Sequence, residues 1–271
     1  MLENMATVAA FFDLDKTILA KSSTLAFSRP FFDGGLLNRR SVLRSAYAQF
    51  VFALQGADHD QMEKMRAYLS SMVAGWPVQT VRDIVAETLH TIVDPLVYDE
   101  AVDLIELHQA QGHHVVIVSA SGAEVVEPIG EMLGADHVIA TEMVVADGRY
   151  TGEIGTYAYG NGKAVAIRAL AKERGYDLAE CFAYSDSETD IPMLEAVGHP
   201  YAVNPDRVLR RVATERRWPM LEFRRPVDLH ERTGWGTARS RAAAMAAAAG
   251  AVGAGFVSWQ LRRARILRAG A

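Results

Sequence analysis

Short apolar runs alternate along the chain with longer segments of helical periodicity. Four of these runs have the length and composition of buried strands, namely residues 8–12, 113–121, 181–187 and 200–204. Four helix-like segments follow them or lie between them, namely residues 122–133, 162–174, 189–197 and 205–217. Because such alternation is typical of parallel strands joined by crossover helices, the pattern predicts an α/β fold with a doubly wound parallel sheet.

Two stretches depart from this alternation. Residues 144–154 contain Asp147 followed by Gly148, a favoured two-residue turn, and therefore predict a β-hairpin. Residues 20–95 lack strand-like runs and contain three segments with helical spacing, namely 36–54, 58–73 and 78–93. We therefore expect a helical insertion directly after the first strand.

The predicted domain organisation follows from that insertion. Residues 1–19 and 96–228 would form the core, and residues 20–95 would form an inserted helical domain. Asp94-Pro95 suits the return to the core, because the residue before a proline avoids helical geometry. Residues 229–271 would form a C-terminal tail.

Composition and charge limit the function classes. Half of the 271 residues are hydrophobic and 23% are charged, as in an ordinary soluble protein. A net charge of −5 gives no reason to expect nucleic acid as a partner. The single cysteine, Cys181, excludes an internal disulfide and suits a reducing cytoplasm. No basic segment followed by a long apolar one opens the chain, so no signal peptide is expected.

The tail contains an uncharged, alanine- and glycine-rich stretch, residues 242–261, with arginines on both sides. Twenty helical residues at ~1.5 Å each reach ~30 Å, which is enough to span a membrane. Alanine and glycine are only weakly hydrophobic, so a helix packed on the core or exposed to solvent is the alternative. Membrane attachment would anchor a cytoplasmic catalytic domain and would make a lipid phosphate a reasonable substrate.

Polar side chains end the predicted strands. Asp13 and Asp15 follow the first strand, Ser119 lies in the second, and Asp186 lies in the third. In doubly wound sheets ligands bind beyond the carboxyl ends of the strands, so these groups should converge on one crevice. Clustered carboxylates repel each other unless a cation joins them, and hard oxygen ligands suit Mg²⁺. A metal with a lysine, here Lys163 at a helix start, suits the charge of a phosphoryl group.

Four segments together resemble the motifs of the haloacid dehalogenase superfamily. They are FFDLDKT, VIVSAS, the lysine of GNGKAVAI, and YSDSETDIPML, in that order. The insertion resembles the helical C1 cap of subfamily IB, the phosphoserine-phosphatase-like branch, and the match extends over residues 6–225. The resemblance implies a Rossmann-like core with an inserted C1 cap, and a Mg²⁺-dependent phosphatase acting on a small phosphorylated metabolite or a lipid phosphate.

The resemblance also implies catalytic and metal-binding roles. Asp13 would attack phosphorus and form an aspartyl-phosphate. Asp15 would protonate the leaving oxygen and later deprotonate the hydrolytic water. Mg²⁺ would bind the Asp13 and Asp186 carboxylates and the backbone carbonyl of Asp15. Ser119 and Lys163 would hold the phosphoryl oxygens.

Supporting roles are implied for five further residues. Asp190 would orient Lys163 or a metal-bound water, and Thr17 would brace the loop after the first strand. Ser121 and Gly122 would lend hydroxyl or backbone contacts, and Thr189 stands in the last motif. Turn-forming, helix-capping and solvated roles are the alternatives for the acids and hydroxyls among these candidates.

Three other classes of protein share parts of this motif pattern but fit the sequence less well. The DKT triplet also resembles the phosphorylated motif of P-type ion pumps, with Asp15 as the nucleophile. However, the apolar run stops at Phe12, which puts Asp13 at the strand end, and a pump needs many spanning helices. A dehalogenase needs no acid two residues after the nucleophile, and a receiver domain lacks the second carboxylate motif.

Two alternatives stay open at this point. In phosphoserine phosphatases an acidic cap residue, nine positions after the nucleophile, meets the substrate ammonium, and here that position holds Ser22. Thr189 and Ser185 replace their usual asparagine and glycine, which speaks against phosphoserine as the substrate. The other alternative is a membrane-associated binding or regulatory protein that keeps the fold without turnover, against which the complete set of motifs speaks.

Overall fold

The computed structural model describes residues 7–37, 70–227 and 229. Its strands are β1 Ala9–Asp13, β2 His114–Gly122, β3 His137–Ala146, β4 Arg149–Thr156, β5 Phe182–Ser185, β6 His199–Val203 and β7 Met220–Leu221. Its α-helices are α1 Ser23–Ala26, α2 Ser28–Asp33, α3 Val78–Val93, α4 Asp99–Ala110, α5 Ala123–Met132, α6 Asn161–Arg174, α7 Ile191–Leu194 and α8 Arg207–Arg216. Most of the predicted helices 36–54 and 58–73, and the whole of the candidate membrane helix 242–261, lie outside the described residues.

The strands form one sheet in the order β4-β3-β2-β1-β5-β6-β7. Every neighbouring pair is parallel except the β3–β4 hairpin. The strand β1 lies in the middle, with Phe12 level with Ile117 of β2 on one side and with Tyr184 of β5 on the other. The predicted α/β fold with a doubly wound parallel sheet is therefore confirmed, and it places Asp13 at the centre of the sheet's carboxyl edge.

Both faces of the sheet are covered, because successive side chains of β1 point to opposite sides. Ala10 and Phe12 belong to a core shared with α3, α4 and α5, whereas Ala9 and Phe11 belong to a second core shared with α6, α7 and α8. All five residues of β1 are buried. The apolar run that ends at Phe12 is thus explained by burial on both faces.

The hairpin forms as predicted, with positive φ angles at Asp147 and Gly148. Its first strand starts earlier than predicted because residues 137–141 pair in parallel with β2 before the strand turns to pair with β4. The predicted helix 189–197 is a 3₁₀ turn, Glu188–Asp190, followed by the short α7. The helix α4 and the two-residue strand β7 were not predicted.

The two ends of the predicted insertion lie side by side. The backbone N–H of Ala20 donates to the carbonyl of Leu96 (2.7 Å), and that of Tyr98 donates to Ile18 (2.9 Å). Beyond this point α3 packs on α5 through the same apolar core that covers one face of the sheet. The boundaries at residues 20 and 95 stay a prediction. The helix α3 shares its apolar core with the sheet and is not a separate structural unit.

Candidate active site

The first aspartate of the first motif, Asp13, ends β1, and the second, Asp15, lies in a tight loop that follows. Lys16 adopts a left-handed conformation with a φ of 62°, and the N–H groups of Ile18 and Leu19 both donate to the carbonyl of Leu14 (3.0 Å each). This reversal keeps Asp13 buried at the end of the strand and leaves Asp15 half-buried at the rim. The loop therefore aims both carboxylates at the carboxyl edge of the sheet.

A buried lysine joins the first and last motifs. Lys163 stands in the first turn of α6, and its Nζ donates to Asp13 Oδ1 (2.6 Å) and to Asp190 Oδ2 (2.7 Å). Its exposed fraction is 3%, so both contacts are shielded from solvent. Thr17 donates to the other Asp13 oxygen (3.2 Å), and Ser185 donates to Asp190 Oδ2 (2.7 Å). Residues 150 positions apart are thus brought into one charged cluster.

The charge in this cluster is not balanced. Burial raises the pKa of Asp13 to about 8, Lys163 opposes this shift, and the nearby Asp190 and Asp186 add to it. Burial likewise raises the pKa of Asp186 to about 6, against the attraction of Lys16. Burial acts to lower the pKa of Lys163, but Asp13 and Asp190 outweigh burial, and the pKa rises. One lysine therefore faces more negative charge than it can offset.

This donor set fits a magnesium ion. Mg²⁺ commonly binds one or two protein carboxylates and completes its shell with water. In such a site Asp13 and Asp186 would supply two carboxylates from adjacent strand ends, and the Asp15 carbonyl would supply a third oxygen. Among the described residues no three His, Cys, Asp or Glu side chains form a metal-binding group. The Asp190 Oδ1 atom is buried and has no hydrogen-bond partner within the described parts of the chain, which leaves an acceptor for a water or cation.

The second motif lies beside Asp15. Ser119 is buried in β2, and its Oγ accepts the N–H of Ser121 (3.2 Å). The Ser121 hydroxyl donates to Asp15 Oδ2 (3.3 Å). Gly122 precedes α5, and a Cβ there would meet only an ordinary contact with the Glu124 side chain at 3.8 Å. No steric reason for glycine is therefore found at Gly122.

The structure thus brings most of the predicted residues together. Asp13, Thr17, Lys163 and Asp190 are in direct contact, and Asp15, Ser121 and Ser119 form a second connected group. Asp186 lies close enough to raise the pKa of Asp13. The Thr189 hydroxyl contacts the Ser187 hydroxyl (3.1 Å). The catalytic roles of all these residues stay a prediction.

Two groups of polar residues were not among the predicted site residues. Ser185 ends β5 and hydrogen-bonds Asp190, although the sequence marked it only as a departure from glycine. Ser22 and Ser23 open the insertion and both hydrogen-bond Asp15. Three consecutive hydroxyl residues, Ser22 to Thr24, closely follow the first motif. This run was the sequence feature that could have indicated their contact with Asp15.

The sequence matches known proteins over most of its length. Residues 10–195 match the family model of the haloacid dehalogenase-like hydrolases. A Streptomyces azureus protein named inhibition of morphological differentiation protein is 62% identical over 264 residues, covering 96% of this chain and 95% of that protein. A probable phosphatase of Mycobacterium tuberculosis is 60% identical over 258 residues, covering 95% and 90%. A phosphoserine phosphatase of that species is 34% identical over 220 residues, covering 80% and 71%.

Solved structures share the fold. A Bordetella pertussis protein of unknown function superposes with a TM-score of 0.71 at 29% identity, covering 80% of this chain and 99% of that one. A phosphoserine phosphatase solved as a phospho-aspartyl intermediate analogue gives a TM-score of 0.58 at 21% identity, covering 83% and 96%. The second likeness bears on the fold alone.

Proposed function

The chain belongs to the haloacid dehalogenase-like hydrolases, and from that premise we propose that it is a Mg²⁺-dependent phosphomonoesterase that works through an aspartyl-phosphate on Asp13. The observation that carries the proposal is the contact of Asp13 with Lys163 in a buried cluster at the centre of the sheet's carboxyl edge. A carboxylate in this position is a suitable nucleophile, and the lysine is placed to stabilise charge on the phosphoryl group.

In the first step an Asp13 oxygen attacks phosphorus, and the bond from phosphorus to the leaving oxygen breaks. Asp15 gives its proton to that oxygen, so the alcohol leaves neutral. In the second step Asp15 takes a proton from water as the water attacks the aspartyl-phosphate. The bond between phosphorus and the Asp13 oxygen then breaks, which releases inorganic phosphate and restores both carboxyl groups.

The surrounding residues hold the phosphoryl group during both steps. Lys163 neutralises part of its charge, and Ser119 is buried nearby as a hydroxyl donor. Asp190 pairs with Lys163 and fixes the position of its ammonium group. When bound to Asp13, Asp186 and the Asp15 carbonyl, Mg²⁺ supplies additional positive charge for the phosphoryl oxygens. Its fit rests on the excess negative charge of the cluster.

We infer a small phosphorylated metabolite as the substrate, and the relative named as a phosphoserine phosphatase supports a phosphomonoester. Phosphoserine itself is disfavoured, because Ser22 stands where an acidic residue would meet the ammonium group and instead lies within 3.5 Å of Asp15. The hypothesis of a lipid-phosphate substrate rests on membrane attachment through residues 242–261, and this stretch lies outside the described residues. Within residues 7–37 and 70–227, no helix is long and apolar enough to cross a membrane.

The test is phosphate release from 4-nitrophenyl phosphate and from a panel of phosphorylated metabolites. We expect the wild-type protein to be active with Mg²⁺ and inactive in EDTA, with recovery when Mg²⁺ is restored. The variant Asp13→Asn should lose activity, whereas Glu127→Gln, which changes an exposed carboxylate on α5, should not. Unchanged turnover in Asp13→Asn would exclude the proposed nucleophile. A wild-type protein that releases no phosphate from any monoester would favour the binding or regulatory alternative.

A further inference from the structure

The carboxylate of Asp15 is held on both of its oxygens. Oδ1 accepts the backbone N–H of Ser23 (2.7 Å), and Oδ2 accepts the hydroxyls of Ser121 (3.3 Å) and Ser22 (3.5 Å). The donors come from two distant parts of the chain, since Ser22 and Ser23 begin the predicted insertion and Ser121 lies in β2. The orientation of Asp15 is therefore tied to both the core and the insertion.

These donors form one connected network, which we call the Asp15 hydroxyl cluster: Ser22, Ser23, Thr24 and Ser121. The Ser121 Oγ lies 2.8 Å from the Ser23 Oγ and 3.1 Å from the Thr24 Oγ1. Ser23 is fully buried, and Ser121 is exposed by only 7%. Because the Ser121 hydroxyl donates to Asp15, its oxygen is left to accept from Ser23 or Thr24. The hydroxyls thus hold one another in place as well as the carboxylate.

We propose that Ser23 and Ser121 are positioning residues that hold the Asp15 carboxyl group in line with the leaving oxygen of the substrate. The inference rests on the proposed function, in which Asp15 protonates that oxygen. General acid catalysis contributes roughly 10²–10⁴-fold and depends on hydrogen-bond geometry. A donor on each oxygen restricts rotation of the carboxyl group, so the loss of either donor should weaken proton transfer without removing the acid.

The inference makes a prediction that a purely structural role does not. Proton transfer matters most when the leaving group is a poor one, whereas 4-nitrophenolate is a stable anion near neutral pH and needs little help. Loss of positioning should therefore make kcat/KM fall more steeply as the leaving phenol becomes less acidic. The ratio kcat/KM isolates the first step, because it contains only the steps up to release of the phenol and excludes hydrolysis of the aspartyl-phosphate.

The experiment compares kcat/KM for a series of substituted phenyl phosphates, from 4-nitrophenyl phosphate to the unsubstituted ester. Ser121→Ala removes one donor, and Ser121→Thr keeps the hydroxyl. Ser23→Pro removes the backbone N–H that donates to Asp15 together with the Ser23 hydroxyl that contacts Ser121, and proline is tolerated at this first helical position after the extended Ser22. Ser28→Ala is the matched control, since the Ser28 hydroxyl donates to the Leu25 carbonyl and does not contact Asp15.

We expect kcat/KM of Ser121→Ala and Ser23→Pro to fall roughly 10–100-fold on phenyl phosphate and less than about 3-fold on 4-nitrophenyl phosphate. The larger loss is part of the rate enhancement that general acid catalysis contributes. Ser121→Thr and Ser28→Ala should follow the wild-type line. A uniform loss across the series, or no loss in Ser121→Ala, would overturn the inference. If Ser23→Pro unfolds, as judged by circular dichroism, Ser121→Ala still decides the question.

Failure of this inference is distinguishable from failure of the proposed function. If Asp13→Asn is inactive and Ser121→Ala keeps the wild-type dependence of kcat/KM on the acidity of the leaving phenol, only the positioning role is excluded. Active Asp13→Asn, or a wild-type protein without activity on every ester of the series, would overturn the proposed function and this inference with it.

Discussion

We expect the variant Asp13→Asn to be more stable than the wild-type protein when divalent metal is absent, although it removes the proposed nucleophile. Asp13 is buried beside Asp190 and Asp186, and Lys163 cannot offset all three charges. Asparagine keeps the shape of the side chain, its oxygen can accept from Lys163, and its amide can donate to the Thr17 hydroxyl. Lys163 would then pair with Asp190 alone.

The magnitude follows from the pKa of Asp13, which rises from 3.8 to about 8. The unfolded chain releases this proton near its ordinary pKa, whereas the folded protein keeps it until about pH 8. The contribution to stability is therefore full below the ordinary pKa and is lost as the pH rises through the folded value. At pH 8 the loss is at most about 5 kcal/mol, since one pKa unit corresponds to about 1.4 kcal/mol.

Water entry and local rearrangement relieve part of this penalty, so we expect a gain of roughly 1–3 kcal/mol in Asp13→Asn at pH 8. For a chain of this size each kcal/mol raises the Tm by about 2–4 °C. At pH 5 the upper bound falls to about 2 kcal/mol, because the unfolded carboxyl group is then closer to its own pKa. The stabilisation should therefore shrink on acidification.

The assay is thermal unfolding in EDTA at pH 8 and pH 5, followed by circular dichroism. Glu127→Gln serves as the control, because it removes an exposed carboxylate and should leave the Tm unchanged at both pH values. Addition of Mg²⁺ should stabilise the wild-type protein more than Asp13→Asn. An Asp13→Asn variant that is less stable than the wild type at pH 8, or whose advantage is the same at pH 5, would refute the reasoning.

Two further predictions concern a close backbone contact and a buried histidine. Gly198→Ala should cost roughly 1–3 kcal/mol, because a Cβ there would overlap the Ala179 carbonyl oxygen, whereas Gly155→Ala meets only ordinary contacts; equal denaturation midpoints of the two variants would contradict this. His108 hydrogen-bonds Tyr184, and burial lowers its pKa from 6.5 to about 3. The unfolded state therefore takes up the proton before the folded state does. As the pH falls below the ordinary pKa of histidine, the free energy of unfolding decreases by at most about 1.4 kcal/mol per pH unit. His108→Gln should reduce the pH dependence of the free energy of unfolding, measured by urea titration between pH 6.5 and 5, which lies between the ordinary and the folded pKa of His108. An unchanged pH dependence would exclude His108 as the cause.

The sequence predicted the sheet and the positions of the acids because both depend on local pattern. A run of residues buried on both faces has to be apolar, so its end at Phe12 marked the point where Asp13 enters the crevice. Asp186 was found for the same reason at the end of β5. The motif resemblance then brought Lys163 into the set, although nothing in its local sequence requires contact with Asp13.

The remaining contacts depend on tertiary placement and could not be obtained from pattern. Ser185 and Ser23 are ordinary hydroxyl residues in sequence, and only the fold brings them to Asp190 and Asp15. The strand β3 was underestimated because its two halves have different partners on the sheet. Likewise the predicted helix 189–197 is divided into a 3₁₀ turn and the short α7, which has Pro192 in its first turn, and periodicity alone does not reveal this division.

The most direct test of the account is to identify the residue that becomes phosphorylated. Asp15→Asn should slow hydrolysis of the intermediate, so this variant would be mixed with 4-nitrophenyl phosphate and Mg²⁺ and quenched in acid. Borohydride would then reduce the acyl phosphate to homoserine, and peptide mass spectrometry would locate it. The account predicts homoserine at position 13 in Asp15→Asn and in briefly reacted wild-type protein. Homoserine at position 15 in the wild type, or an unmodified Asp13 during active turnover, would contradict it.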